Sequence, residues 1–501
     1  MSDADDIRGG RGSLPWSDAD LRAALELGPE QAHEGAIYEG VATDTRTLRA
    51  GSLFVALRGE QFDAHDFLAA AASAGARAAL VERVPDGAPE ALHYYVVPDT
   101  LVALGRLATE RRRRLGARVV AITGTNGKTT TKEMARAVLS SKYRVHATTG
   151  NLNNLVGTPL TVLSAPEDTE ALVVEVGTSG PGEIARLRDL VEPDAAIVTG
   201  VGPGHLEGLG TLQGVLIEKT SLIERLPEGG FAIVADTPPE LPARSRELRP
   251  DVRVAGLSER ADPELRAEDV VLDDEGKARF RWQGRSVALP VRGRHNVSNA
   301  LLALGLAVEW DVGPDEAIAA LARVELPGMR MDVRRIGDVR VIVDCYNANP
   351  ASLRAAGDLL EAMPRGSARV AIIGSMLELG EESAALHRAS AQEMLARDVD
   401  VIVATGEFAS AVEGLQRAGA RIIADTDPLR AWEELKDELR GDEVVLLKGS
   451  RGVALERLLP LLEETFGVHR RPSAGGNRGR RDDAGDASGG FPSAADAGRE
   501  G

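Results

Sequence analysis

The chain has 501 residues, 43% apolar and 27% charged, with a formal net charge of −18 and a single cysteine. That length predicts several domains rather than one core, and the acidic balance excludes a general binder of nucleic acid or of an anionic membrane, which would be repelled. Cys345 alone excludes intramolecular disulfides and multi-cysteine zinc sites. With no signal-peptide core at the start and no apolar run long enough to span a bilayer, a soluble cytoplasmic protein without membrane insertion is expected.

The first dozen or so residues are polar and Gly-rich, and residues 470–501 have the same character, so both ends are expected to be disordered. Between them lie three blocks. The first, 15–115, holds a strand-like run at 52–57 and an Ala-rich helix predicted near 67–80. The second, 116–326, presents short apolar runs at 117–122, 171–176, 195–199 and 231–235, separated by helical stretches. The third, 327–468, repeats that grammar at 341–343, 369–373, 401–404 and 444–447. Near-continuous apolar runs alternating with helices predict α/β blocks built on parallel sheets covered on both faces. The Arg111–Arg114 run is predicted to be a solvated helix C-terminus, where cations are favoured.

The most informative segment opens the second block. A strand-like run ending at Ile122 leads into Thr123-Gly124-Thr125-Asn126-Gly127-Lys128-Thr129-Thr130, and a helical segment follows. Strand, Gly-rich turn, Lys-Thr and helix is the arrangement that cradles a nucleoside triphosphate, since backbone N–H groups and the helix N-terminus attract phosphate. Lys128 is predicted to reach the β- and γ-phosphates and the Thr129 hydroxyl to bind Mg²⁺. The general pattern wants a glycine five residues before Gly127, where this chain has Ile122.

Further candidates follow in chain order. Glu175 sits in an otherwise apolar strand, where a carboxylate needs a cation; Mg²⁺ and a buried structural salt bridge are the alternatives. His205 lies in a Gly-rich loop after the next strand, and spacing alone leaves its role open. Lys219, in a helical segment, reads by itself as an ordinary surface lysine. Asn296 begins an Ala/Leu-rich helix and either caps it or reads the edge of an adenine. Asp344-Cys345-Tyr346-Asn347-Ala348-Asn349-Pro350 and Lys448-Gly449-Ser450-Arg451-Gly452 each follow a strand, at the end where ligands bind open α/β sheets.

Together, and in this order, the segments 41–67 (VATDTRTLRAGSLFVALRGEQFDAHDF), 122–134 (ITGTNGKTTTKEM), 293–307 (GRHNVSNALLALGLA) and 344–356 (DCYNANPASLRAA) resemble the Mur ligases of bacterial peptidoglycan synthesis. The resemblance covers about residues 30–465. It implies a UDP-muramoyl-substrate-binding domain (15–115), a central P-loop ATPase-like parallel-sheet domain (116–326) and a Rossmann-like C-terminal domain (327–468). It implies ATP-dependent ligation of D-alanyl-D-alanine to UDP-N-acetylmuramoyl-tripeptide through an acyl phosphate, by a monomer acting on small molecules. Thr43, Asp44, Thr45, Arg46 and Asn349 match substrate contacts. Gly124, Thr125, Asn126, Gly127, Lys128, Thr129, Thr130, Asn296, Arg330, Asp344 and Asn347 match the ATP site. Lys128, His205 and Lys219 match catalytic residues. Thr129, Glu175 and His205 match metal-associated residues, and Lys219 a carbamylated lysine that holds a second Mg²⁺. Gly200, Ser221 and Ser375 depart from the family's usual residues. The rival readings are a muramoyl-dipeptide amino-acid ligase, a folylpolyglutamate synthase and a non-catalytic nucleotide switch.

Overall fold

The computed structural model describes residues 15–59 and 62–467, so the expected disordered ends lie outside the described residues. The first block carries helix α1 (Asp18–Leu25) and a four-stranded parallel sheet in the order β1 (Val41–Ala42), β2 (Leu53–Val55), β3 (Ala78–Val81), β4 (His93–Val96). The predicted Ala-rich helix is split. Helix α2 (Leu68–Ser73) stops short, and Ala78–Val81 are drawn into the sheet, where all four side chains are buried. Sheet packing has overridden helix propensity there. Helix α3 (Thr100–Leu115) leads to the second block.

That block is built on a six-stranded parallel sheet. In chain order its elements are β5 (Arg118–Thr123), α4 (Lys128–Leu139), β6 (Val145–Ala147), α5 (Gly157–Leu163), β7 (Ala171–Glu175), α6 (Glu183–Val191), β8 (Ala195–Val198), α7 (Leu212–Thr220), β9 (Phe231–Ala235) and β10 (Arg253–Ala255). The strand order is β10-β9-β8-β5-β7-β6. Successive strand residues point to opposite faces. Val119, Ala121, Leu172, Val174, Ala196 and Val198 accordingly join one apolar cluster, with Leu104, Leu107 and Leu187 of α3 and α6. Val120, Ile122, Ala171, Val173, Ala195 and Ile197 join another, with Met134 and Val138 of α4. An antiparallel sheet of β11 (Glu268–Leu272), β12 (Lys277–Trp282) and β13 (Arg285–Arg292) follows, which the apolar runs do not announce. It is half-buried, with Ala278, Phe280 and Trp282 inward at alternate positions, against α8 (His295–Glu309).

The third block has a six-stranded sheet in the order β14-β15-β19-β16-β17-β18. Its strands are β14 (Asp332–Ile336), β15 (Val339–Asp344), β16 (Arg369–Ile373), β17 (Val401–Ala404), β18 (Arg421–Ala424) and β19 (Val444–Lys448), with only β14 antiparallel. Helix α9 (Pro350–Ala362) follows β15. Leu206, Leu209 and Val215 of the second block share an apolar cluster with Leu353, Met376 and Leu379 of the third, so the two blocks are packed together.

The arginine run departs from expectation. Arg112, Arg113 and Arg114 pair with Asp194, Glu192 and Glu110, but Arg111 is 1% exposed and donates to the Ala165 carbonyl. Helix α3 packs along α5, which covers this one arginine. Among the described residues no helix is long and apolar enough to cross a membrane.

Candidate functional site

The carboxyl ends of β5, β7, β15 and β19 border one cavity of about 480 Å³ between the second and third blocks. This is where open parallel sheets place ligands. Of the predicted residues it gathers Thr125, Asn126, Gly127, Lys128, Thr129 and Thr130 with Glu175, His205, Asn296, Arg330, Asp344 and Asn347. A groove of about 540 Å³ between α1, α3 and α6 holds none of them.

The mismatch at Ile122 has a simple cause. Ile122 is a buried residue of β5, paired with Glu175 and Ile197, so the loop starts only at Gly124. Gly124 has φ +148°, and a Cβ there would meet Thr199 Oγ1 at 2.1 Å; Gly127 has φ +81°, and its Cβ would meet Asn299 Oδ1 at 2.4 Å. Both positions demand glycine. Lys128 starts α4, and its Nζ folds back onto the carbonyls of Gly124 (2.9 Å) and Thr125 (3.2 Å). Burial pulls its pKa down while Glu175 opposes that shift.

Glu175 ends β7 and is 2% exposed. Its Oε1 accepts from Asn153 Nδ2 at 2.8 Å, whereas Oε2 is buried with no hydrogen-bond partner. No ion pair holds this carboxylate among the described residues, so the salt-bridge alternative fails. His205 adopts a left-handed backbone (φ 58°), and its Nδ1 lies 2.5 Å from Glu378 Oε2 of the third block. That contact holds the Glu378 carboxyl below its ordinary range. Lys219 is not a surface lysine: it is fully buried, its Nζ has no hydrogen-bond partner among the described residues, and it is not among the residues that line the cavity. Burial first, and Lys128 second, push its pKa far down and favour the neutral amine.

An orphaned carboxylate oxygen in a cavity that Thr129 also lines suits a hard divalent cation. No group of three or more His, Cys, Asp or Glu converges among the described residues. A magnesium ion here would therefore be completed by phosphate oxygens and water, its usual habit.

Asn296 lies within α8 rather than capping it, and its Nδ2 donates to the Arg292 carbonyl (2.6 Å) while its Oδ1 accepts from Asn299 (2.8 Å). Arg330 stacks 4.2 Å over the Tyr346 ring. Asp344 takes Lys448 Nζ at 3.3 Å and the Met331 N–H at 3.3 Å. Lys448 also donates to the Asn347 carbonyl, bracing the turn after β15. Asn349 is off the cavity wall and bonds Asn126 instead.

Thr43 and Asp44 line a different cavity, of about 270 Å³, against His146, Thr149, Leu152 and Thr161 of the second block. Thr45 and Arg46 do not line it, and Arg46 is pinned to Asp44. The segment 149–154 separates the two cavities, with Thr149 and Leu152 facing one and Asn151, Asn153 and Asn154 the other. Among the departures, Gly200 lends its carbonyl to Thr125 N–H, Ser221 Oγ donates to the Glu218 carbonyl, and Ser375 Oγ accepts from Glu407 N–H.

Asn153 and Glu378 reach the site although the sequence alone assigns neither a role there, Glu378 entering only as part of the family-like segment Glu378-Leu379-Gly380. An Asn-rich turn after β6, at the same sheet edge as the phosphate loop, is a signal that would have found Asn153. Glu378 reaches the site only through packing of the third block, which no local pattern announces.

Comparison with known proteins extends over the same segments. Residues 37–112 match the Mur ligase family catalytic domain, 122–307 the Mur ligase middle domain and 329–451 the Mur ligase glutamate ligase domain. The UDP-N-acetylmuramoyl-tripeptide–D-alanyl-D-alanine ligase of Bacillus subtilis is 36% identical over 443 residues, 86% of this chain and 95% of that protein. The Escherichia coli enzyme of the same name is 37% identical over 85% of this chain and 94% of its own length. Among solved structures, MurF from Acinetobacter baumannii superposes with a TM-score of 0.83 at 31% identity, covering 91% of this chain and all of that one. MurF ligase from Thermotoga maritima in complex with ADP gives 0.76 at 28% identity, covering 85% and 97%.

Proposed function

The chain belongs to the Mur ligase family, and from that premise we propose that it joins D-alanyl-D-alanine to UDP-N-acetylmuramoyl-tripeptide, converting ATP to ADP and phosphate, in peptidoglycan precursor synthesis. The observation that carries this reading is one cavity lined by the phosphate loop with Lys128, by Glu175 with its orphaned oxygen, and by Asp344, Tyr346 and Lys448.

A carboxylate is a poor electrophile, so it must be activated. The terminal carboxylate oxygen of the tripeptide attacks the γ-phosphorus of ATP, ADP leaves, and an acyl phosphate forms. Two anions approach each other in that step. Lys128 Nζ, held in this structure by two loop carbonyls, swings onto the phosphates and offsets their charge. When bound, magnesium would supply further charge neutralisation, with Thr129, Glu175 and His205 as the residues that would hold it and a carbamylated Lys219 as the group that would hold a second ion. Lys219 is suited to that modification. Its amine, which burial favours in the neutral form, adds to CO₂ with release of a proton, and the carbamate places an anion near Lys128. The free amine of D-alanyl-D-alanine then attacks the acyl carbon. Phosphate leaves with one former carboxylate oxygen, and the nitrogen gives up a proton.

Packing of the third block over the loop shields the acyl phosphate from water. The second cavity, at Thr43 and Asp44, suits the UDP end of the substrate, with the segment 149–154 between it and the reacting end.

Tripeptide labelled with ¹⁸O in its terminal carboxylate tests the route. One ¹⁸O is expected in the phosphate released when ATP and D-alanyl-D-alanine are present. Unlabelled phosphate alongside new amide would overturn it.

A further inference from the structure

Asn349 caps α9: its Oδ1 accepts from Ser352 N–H at 2.9 Å, and Ser352 Oγ accepts from Asn349 N–H at 3.0 Å. The same side chain crosses to the phosphate loop. Asn126 Nδ2 donates to Asn349 Oδ1 at 3.1 Å, and Asn349 Nδ2 donates to Asn126 Oδ1 at 2.7 Å. An amide offers two acceptor lone pairs and two N–H donors. Asn349, 4% exposed, has used both lone pairs and one donor, which leaves little with which to hold a substrate. On the other side of the loop, the Asn126 carbonyl accepts from Thr199 Oγ1 at the end of β8.

We propose that Asn349 is a positioning residue rather than a substrate contact: its paired amide bonds to Asn126 clasp the third block onto the phosphate loop and couple nucleotide binding to closure of the two blocks. Three observations converge on this. The pair is reciprocal, so it forms only in one relative placement of the blocks. Its partner lies in the loop itself, between Thr125 and Gly127, whose backbone N–H groups must be presented together to a phosphate. And the cap ties Asn349 rigidly to α9, so that the helix moves with the bond. Nucleotide that organises the loop then favours the closed arrangement, and closure tightens nucleotide binding by the same factor.

This inference rests on the reading of the loop as an ATP cradle. Its test separates the two. In the full-length protein, Asn349→Ser keeps a capping hydroxyl but is too short to reach Asn126. Asn126→Ser removes the other half, and the double variant removes both. ADP affinity is measured by calorimetry in magnesium buffer, closure by the X-ray scattering radius with and without ADP, and turnover at varied ATP. Each single variant is expected to weaken ADP about tenfold and to enlarge the ADP-bound form, raising KM for ATP more than it lowers kcat. The double variant is expected to be no worse than either single one, since the bonds are shared. Asn349→Asp, a strong cap that lacks the amide donor, should behave like Asn349→Ser and so controls for a folding defect. Unchanged ADP affinity and radius in the variants, or strictly additive losses, would overturn the clasp. A wild-type protein that binds no ADP would overturn both the clasp and the cradle.

Discussion

Glu175→Gln separates a functional carboxylate from a structural one. In the folded chain Oε1 has its hydrogen bond from Asn153, whereas Oε2 is buried without a partner and without an ion pair among the described residues. A glutamine keeps the carbonyl that Asn153 needs and removes the buried charge. An unsatisfied buried group of this kind costs about 1–3 kcal/mol, more when charged. The metal-free variant should therefore be more stable than the wild type. For a block of this size that is a rise of about 2–12 °C in the thermal midpoint, read by calorimetry in chelator. Turnover should fall by a factor of about 10²–10³, because a preorganised charge at the phosphate end is lost. A variant that is less stable and still turns over at nearly the wild-type rate would refute the reasoning and make Glu175 a structural residue.

Lys128→Ala should leave the circular dichroism spectrum unchanged and lower kcat/KM by about 10³-fold or more, since among the described residues its hydrogen bonds go to two loop carbonyls; near-normal turnover would remove it from the phosphate site. Activity should fall in CO₂-depleted buffer and return with bicarbonate, and Lys219→Ala should be inactive and indifferent to bicarbonate; a wild type indifferent to CO₂ would contradict carbamylation. Asp18, 4% exposed, would have its pKa raised by burial, but bonds from Tyr95, the His33 N–H and Arg22 outweigh that and hold it below the usual carboxylate value. Its contribution is therefore present above about pH 4 and lost as pH falls through the lowered pKa. Asp18→Asn should destabilise the first block by about 1–3 kcal/mol at pH 7, a gap that narrows only below about pH 4 in thermal melts.

The parallel sheets were legible because strands buried on both faces carry unbroken apolar runs, as at Ala171–Glu175 and Val444–Lys448. The antiparallel β11–β13 sheet was not, since its half-buried strands mix arginines with Phe280 and Trp282. In the site, the phosphate loop announced itself through residues adjacent in sequence. Lys219 was readable only through the family resemblance: a lysine among Ile217, Glu218 and Thr220 looks solvated until the fold buries it completely. The contacts Asn126–Asn349 and His205–Glu378 join different blocks, so no local period encodes them.

The central claim is tested most directly by incubating the protein with ATP and UDP-N-acetylmuramoyl-tripeptide, together with a panel of D-alanyl-D-alanine, single amino acids, and folate with glutamate. ADP, phosphate and UDP-muramoyl-pentapeptide should appear in equal amounts, and only when D-alanyl-D-alanine is present. ADP release that depends instead on a free amino acid or a folate, or slow hydrolysis insensitive to either peptide, would contradict it.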